Sequence, residues 1–317
     1  MRLGITLGDV AGIGPEILVR SLATGAFDAD AVIYGPRAAL DLACIHLGLP
    51  LSLLDPLTIC DPSDLRSEDI PIGRIDARCG AAAVAALDRA IADALAQQID
   101  AIVTLPINKQ SARLSIPDFQ GHTEHLAAAC GVRHHAMMLI DDRIAVTHVS
   151  THVALAEAVR RCREPRIAEV ICLTHEALLP LRREPPRIAV AALNPHAGEG
   201  GAFGDEEAGE IRPAIDRARS LGIDANGPFP PDTVFMQAFA GRWDAVVAMY
   251  HDQGHIPMKC AGFASTVNVT LGLPILRVSV DHGTAFDIAY QGIADPGNFL
   301  AAVRQARRLA GAAIATA

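Results

Sequence analysis

At 317 residues, half of them hydrophobic and a fifth charged, the chain can bury a sizeable core and has the length of about two domains. A formal charge of −9 and a pI near 5.7 argue against broad binding to nucleic acid or anionic membranes, which needs clustered Lys and Arg. The seven cysteines are scattered without a Cys-x-x-Cys pair, and no run is apolar enough for a signal peptide or a membrane span, so the expected setting is a reduced cytoplasm.

Strand-like runs alternate with helical ones throughout, the sequence form of a parallel sheet covered by helices, hence α/β. Leu3–Leu7 predicts the first strand, followed by a turn and a helix from Pro15 to Ala23. Ala31–Tyr34 and Ala38–Leu47 predict the next strand and helix. Between Cys79 and Gln98, Val84, Leu87, Ile91 and Leu95 keep to one helical face, and Ala101–Thr104 follows as a buried strand whose loop carries Lys109. A helix from Glu124 to Ala129 opens on Gly121-His122-Thr123, with Thr123 as N-cap. Strands are expected at Ile144–Val149, Ile188–Leu193, Ala245–Met249 and Leu273–Val280, with helices near 154–161 and 166–179 and an Ala-rich amphipathic helix over Phe299–Ala313.

Three of these strands end just before a histidine, namely His152, His196 and His251. Loops leaving the C-terminal ends of parallel strands converge, so three such imidazoles can meet around one metal ion, although His148 competes with His152 for that place. His196 sits in the Gly-rich loop Asn194–Gly201, and His251 in Tyr250-His251-Asp252-Gln253-Gly254-His255. Gly8–Ile17 suggests a dinucleotide fingerprint, but its third glycine position is Ile17 and Pro15 suits a first helical position; a tight strand-to-helix turn is the plainer reading.

His122 and Thr123 at a helix start suit an anion. Lys109 and Lys259, the only lysines, fall in loop-like segments where a compact ammonium has a use that guanidinium lacks. Lys259, Asn268 and Arg277 together suit a phosphate or carboxylate, and Arg277 on an apolar strand is costly to bury without an anionic partner. Asp232 either caps the helix that follows or serves chemistry. The segment Asp281–Pro296, small residues interrupted by Asp287, can wrap an adenosine. Three histidines with aspartates equally serve a metal-dependent hydrolase, which has no need of that last segment.

These motifs resemble, along nearly the whole chain, those of the 4-hydroxythreonine-4-phosphate dehydrogenase (PdxA) family. The resemblance is carried by Gly8-Asp9 with Ala11–Ile17, Pro106–Lys109, Gly121–Glu124, Thr151-His152, Asn194–Gly200, Gly227-Pro228 with Asp232-Thr233, Tyr250–Gly254, Lys259, Val267-Asn268, Gly272–Pro274 and Ser279–Ala285. It implies two α/β/α domains around a central cleft, as in isocitrate and isopropylmalate dehydrogenases, with residues 1–125 and 262–317 in the first and 126–261 in the second. It also implies a homodimer with a shared active site.

Carried over by position, His152, His196 and His251 are the ligands of a divalent ion (Zn, Mg, Mn or Co). His122, Thr123, Lys259, Asn268 and Arg277 contact substrate, and Asp232, Asp252 and Lys109 are candidates for the proton transfer. His282, Gly283, Thr284, Ala285, Asp287 and Asp295 line the site of NAD or NADP. The implied reaction is oxidation with decarboxylation of a phosphorylated 3-hydroxy acid, 4-phosphooxy-L-threonine. His255 resembles instead a branch acting on 4-phospho-D-threonate and 4-phospho-D-erythronate. Val10 stands where the family has proline, Val278 where threonine is common, and Tyr290 where a glycine is expected, so that Tyr290 would crowd the adenosine or stack on it.

Overall fold

The computed structural model describes residues 1–182, 184–262 and 264–316, the side chains of 313–316 excepted. Its strands are, in chain order, β1 (Leu3–Thr6), β2 (Ala31–Tyr34), β3 (Thr58–Cys60), β4 (Ala101–Thr104), β5 (Ala136–Ile140), β6 (Ala145–His148), β7 (Ile188–Ala191), β8 (Ala225–Phe229), β9 (Ala245–Ala248), β10 (Val267–Leu271) and β11 (Leu276–Ser279). The chain divides into two compact units, Met1–Arg133 with Leu273–Gly311, and His134–Gly272 with the C-terminal end.

In the first unit the strands run β3-β2-β1-β4-β11, every neighbouring pair parallel. Short runs such as Ala-Val-Ile-Tyr and Ala-Ile-Val-Thr, buried at every position, suit a sheet covered on both faces. The helix Gly14–Ala23 starts with Pro15 in its first turn and buries Ile17, Leu18 and Val19. Asp76 caps the helix Ala77–Leu95 by accepting from the Arg78 and Cys79 N–H groups, and Val84, Leu87 and Ile91 are buried along it. Leu95, expected on the same face, is exposed because it ends the helix.

The second unit departs from the all-parallel expectation. Its strands run β10-β5-β6-β9-β7-β8, with β10/β5 and β5/β6 antiparallel and the remaining pairs parallel. The connection from β5 to β6, residues 141–144, is far too short for a crossover, so the two strands must form a hairpin. Asp141 closes it, its Oδ1 accepting from the N–H groups of Arg143 at 2.8 Å and Ile144 at 2.9 Å. Leu139, Val146, Ala189, Phe235, Trp243 and Val246 form the core beneath. Among the described residues no helix is long and apolar enough to cross a membrane.

Candidate active site

In the second unit β6, β9 and β7 lie side by side and parallel, so their C-terminal ends point to one edge of the sheet, and His152, His251 and His196 follow those three ends. His251 opens a helix, His251–Gly262, rather than a loop. Its Nδ1 lies 2.6 Å from Asp252 Oδ1, a pairing that turns the Nε2 lone pair outward as carboxylate-backed metal ligands require. The His152 ring centroid is 5.6 Å from that of His251.

One turn along, His255 stacks on His251 at 3.6 Å and shares its Nδ1 between the His251 carbonyl (3.0 Å) and His148 Nε2 (3.2 Å). His148 is buried at the end of β6, with Nδ1 on the Met137 carbonyl at 3.3 Å. Both its nitrogens are engaged, and burial first, then the neighbouring His255, brings its pKa down to about 3. His148 is therefore a buried imidazole with both nitrogens in contact with protein atoms. Gly254 makes the packing possible, since a Cβ there would stand 2.3 Å from His148 Nε2 and 2.8 Å from Val146 Cγ1.

The His196 ring lies 6.2 Å from that of Phe203. Among the described residues no three His, Cys, Asp or Glu side chains of the single chain are arranged to hold a metal ion. The pair His152 and His251, the latter oriented by a carboxylate, is nonetheless a donor set that fits a divalent transition ion.

His196 begins an unusual piece of backbone. Residues 196 to 200 all take left-handed φ values, 52°, 54°, 77°, 42° and 69°, and three of them are not glycine, at a cost of roughly 1–2 kcal/mol for each such residue. Two side chains, Glu207 and Gln253, hold this loop. Buried Glu207 accepts from the N–H groups of Leu193 (2.9 Å) and Asn194 (2.7 Å) and from Asn194 Nδ2 (3.0 Å). Gln253 accepts from Met249 N–H at 2.7 Å and donates to the Ala192 carbonyl at 2.8 Å, tying the end of β9 to that of β7. An acidic residue beside a Gly-rich stretch reads as solvated, so only the fold reveals Glu207.

Asp232 does not cap its helix. Pro230 takes that position and Pro231 the first helical one, which leaves Asp232 exposed in the first turn, where a carboxylate suits the helix dipole. Lys259 is in the last turn of the helix His251–Gly262, not in a loop. Asn268 lies on β10 opposite Leu139, its Oδ1 buried without a hydrogen-bond donor.

A second group assembles within the first unit. Arg277, on β11 opposite Ile102 of β4, is 3% exposed and donates through Nε (3.1 Å) and Nη2 (2.8 Å) to Thr104 Oγ1. Burial brings its pKa down to about 10 in spite of the attraction of Glu124. His122 opens the helix His122–Ala129; its Nε2 is buried without a partner. Burial first, then the charges of Arg277, His125 and Lys109, holds its pKa well below the ordinary value and keeps the ring neutral.

Gly121, at φ 148°, occupies the cap position assigned from sequence to Thr123, which is instead the second residue of the helix. A Cβ on Gly121 would stand 3.3 Å from Lys109 Nζ and 3.1 Å from Glu124 Oε2. Lys109 itself opens a helix, Lys109–Ser115, whose start Asn108 caps by accepting from Gln110 and Ser111 N–H, a correction to its expected loop setting. Two cations, a neutral imidazole and an open helix N-terminus thus come together, a constellation suited to a phosphate.

The segment Asp281–Pro296 also belongs to the first unit. His282 Nε2 is buried without a partner, nothing fills the space beside Gly283, Ala285 takes φ 41°, and Asp287 is exposed. An orphaned donor or acceptor beside an open glycine is what a nucleotide-binding loop presents, so these residues fit the group. One Asp295 oxygen accepts from Gly297 N–H at 2.8 Å at the start of the last helix. Tyr290 is 4% exposed, with its hydroxyl donating to the Val10 carbonyl at 2.7 Å.

Residues 29–306 match the model of the pyridoxal phosphate biosynthetic protein PdxA. The chain belongs to the PdxA family. Among PdxA relatives, a 4-hydroxythreonine-4-phosphate dehydrogenase of Beijerinckia indica is 44% identical over 97% of this chain and 94% of its own. A D-threonate 4-phosphate dehydrogenase of Cupriavidus necator is 42% identical over 97% of each chain. The crystal structure of 4-hydroxythreonine-4-phosphate dehydrogenase from Klebsiella pneumoniae superposes with a TM-score of 0.86 at 39% identity, covering 98% of this chain and 99% of that one. A β-decarboxylating dehydrogenase of Thermococcus kodakarensis, 15% identical with a TM-score of 0.52, shares the fold. The chain is accordingly an α/β oxidoreductase of the PdxA family with an isocitrate/isopropylmalate dehydrogenase-like fold, and the hydrolase alternative falls away.

Proposed function

We propose that this chain catalyses the NAD-dependent, divalent-metal-dependent oxidation of 4-phosphooxy-L-threonine to 3-amino-2-oxopropyl phosphate and carbon dioxide, in the cytoplasm, as a homodimer whose subunits share the metal site. The observation that supports it best is the placement of His152, His251 and His196 after three adjacent parallel strand ends, with His251 backed by Asp252. Lys109, His122, Thr123 and Arg277 hold the phosphate, and its register fixes the reacting carbon. Lys259 and Asn268 are further contacts of the substrate.

His152, His196 and His251 hold the divalent ion. When bound, that ion would supply Lewis-acid polarisation at the alcohol, and a dinucleotide held by residues 282–295 would supply the hydride acceptor. Asp252 is engaged in orienting His251 and Lys109 is a cation of the phosphate group, so the alcohol proton passes to Asp232.

A second reading is oxidation of 4-phospho-D-threonate or 4-phospho-D-erythronate. It is favoured by the comparable likeness to a D-threonate 4-phosphate dehydrogenase and by His255 stacked on His251. A panel of the three substrates with NAD or NADP, followed by absorbance of the reduced nicotinamide, separates the readings. Phosphate release without nicotinamide reduction on any of them would sink both.

A further inference from the structure

The motif Gly8–Ile17 takes on a task other than cradling phosphate. It is the floor on which the segment Asp281–Pro296 rests, and every contact involved lies within the first unit. Ile13 N–H donates to the Thr284 carbonyl at 3.0 Å. Gly12 lies so close to Thr284 that a Cβ would stand 2.6 Å from the Thr284 carbonyl oxygen. Buried Glu16 accepts from Ala294 N–H at 2.9 Å. Gly73 N–H donates to the Ala11 carbonyl at 2.8 Å, and a Cβ on Gly73 would stand 2.6 Å from the Phe286 carbonyl oxygen.

Tyr290 is the side chain that closes this set of contacts. It has φ 61°, a left-handed conformation that a glycine takes freely and a tyrosine takes only under constraint. Its ring is buried with its edge toward His46, centroids 5.6 Å apart, and its hydroxyl donates to the Val10 carbonyl. Ala285, also left-handed at φ 41°, bounds the other end of the same turn, Phe286–Ile288. A backbone held in this way at both ends is over-determined before any ligand arrives, and that lowers the ordering cost of binding.

We propose that Tyr290 is a positioning residue for the dinucleotide: its hydroxyl latches the 285–290 turn onto the Val10 carbonyl and so presets the loop that receives the adenosine half of NAD. The inference rests on the reading that residues 282–295 bind the dinucleotide.

Tyr290→Phe removes the latch and nothing else. Calorimetric titration of the full-length protein with NAD is expected to give a Kd raised about fivefold, the scale of one buried hydrogen bond. Without nucleotide, hydrogen exchange over residues 283–294 should be faster in the variant, and saturating NAD should bring the two proteins together. Tyr290→Gly, which removes the left-handed strain along with the latch, should weaken binding in the same direction.

A lower Tm with unchanged Kd and unchanged local exchange would make Tyr290 a packing residue only and overturn the proposal. Wild-type protein that binds NAD while Tyr290→Phe binds it equally well overturns the latch alone. Wild-type protein that binds neither NAD nor NADP overturns the cofactor reading as well.

Discussion

Replacing Arg277 by methionine should make the protein more stable and a worse enzyme at once. The guanidinium is 3% exposed and its pKa is brought from 12.5 to about 10, so burial outweighs the favourable charge of Glu124. Each pKa unit corresponds to about 1.4 kcal/mol, which makes the unfavourable charging about 3 kcal/mol in the folded state. The two hydrogen bonds to Thr104 Oγ1 offset part of this, about 1 kcal/mol net.

Methionine fills comparable space without a charge, and Arg277→Met should raise the unfolding free energy by roughly 2 kcal/mol, as replacement of buried charge often does. The same change removes a charge-assisted contact to the substrate's phosphate, worth about 1.5–3 kcal/mol, so KM should rise by roughly ten- to a hundredfold. Urea denaturation and steady-state kinetics on one preparation read both quantities. A variant that is less stable by more than about 1 kcal/mol while keeping the wild-type KM would show Arg277 to be a structural residue and refute the reasoning.

Asp9 is buried, with Oδ2 unpartnered, and burial raises its pKa from 3.8 to about 6. A raised carboxyl favours the fold fully below its unfolded pKa and loses that contribution as pH rises through about 6. Asp9→Asn should therefore be more stable than wild type at pH 8, by up to about 3 kcal/mol, with the difference vanishing near pH 4; a gap independent of pH would contradict this. Gly254→Ala forces a methyl against His148 and Val146, which should cost about 1–3 kcal/mol in a denaturation midpoint; a neutral result would mean that the imidazole pair shifts freely. Glu207→Ala releases three donors of the loop that carries His196, and faster hydrogen exchange confined to residues 193–201 should report it. His251→Ala should lower the bound divalent metal per chain, measured by elemental mass spectrometry, without altering the far-ultraviolet circular dichroism; unchanged metal content would remove His251 from the ligand set.

The parallel strands of the first unit were legible because runs such as Leu3–Thr6 and Ala101–Thr104 lack the apolar–polar alternation of solvent-facing strands, and every position in them is buried. The hairpin of β5 and β6 was not, since Ala136–Ile140 is equally apolar and direction is set by the short connection rather than by composition. The three histidines after β6, β7 and β9 could be located from sequence, because an imidazole just past a buried strand stands out. That His148 is buried could not, since its burial comes from β5, which pairs with β6 across the hairpin, and from His255, one turn along a helix where a loop was expected. Thr123 was expected as a cap by residue type, and a cap was one of the two roles open to Asp232. In each case the neighbour, Gly121 or Pro230, has the backbone geometry that the cap demands.

Gln253 spans two neighbouring strand ends with a single amide, Met249 on one side and Ala192 on the other. The turns carrying His196 and His251 cannot then be altered independently: inserting even one residue in either would move a peptide group out of reach of this bridge. Grafting one of them from a relative should succeed only when the other travels with it, so the two stretches are best regarded as one exchangeable cassette.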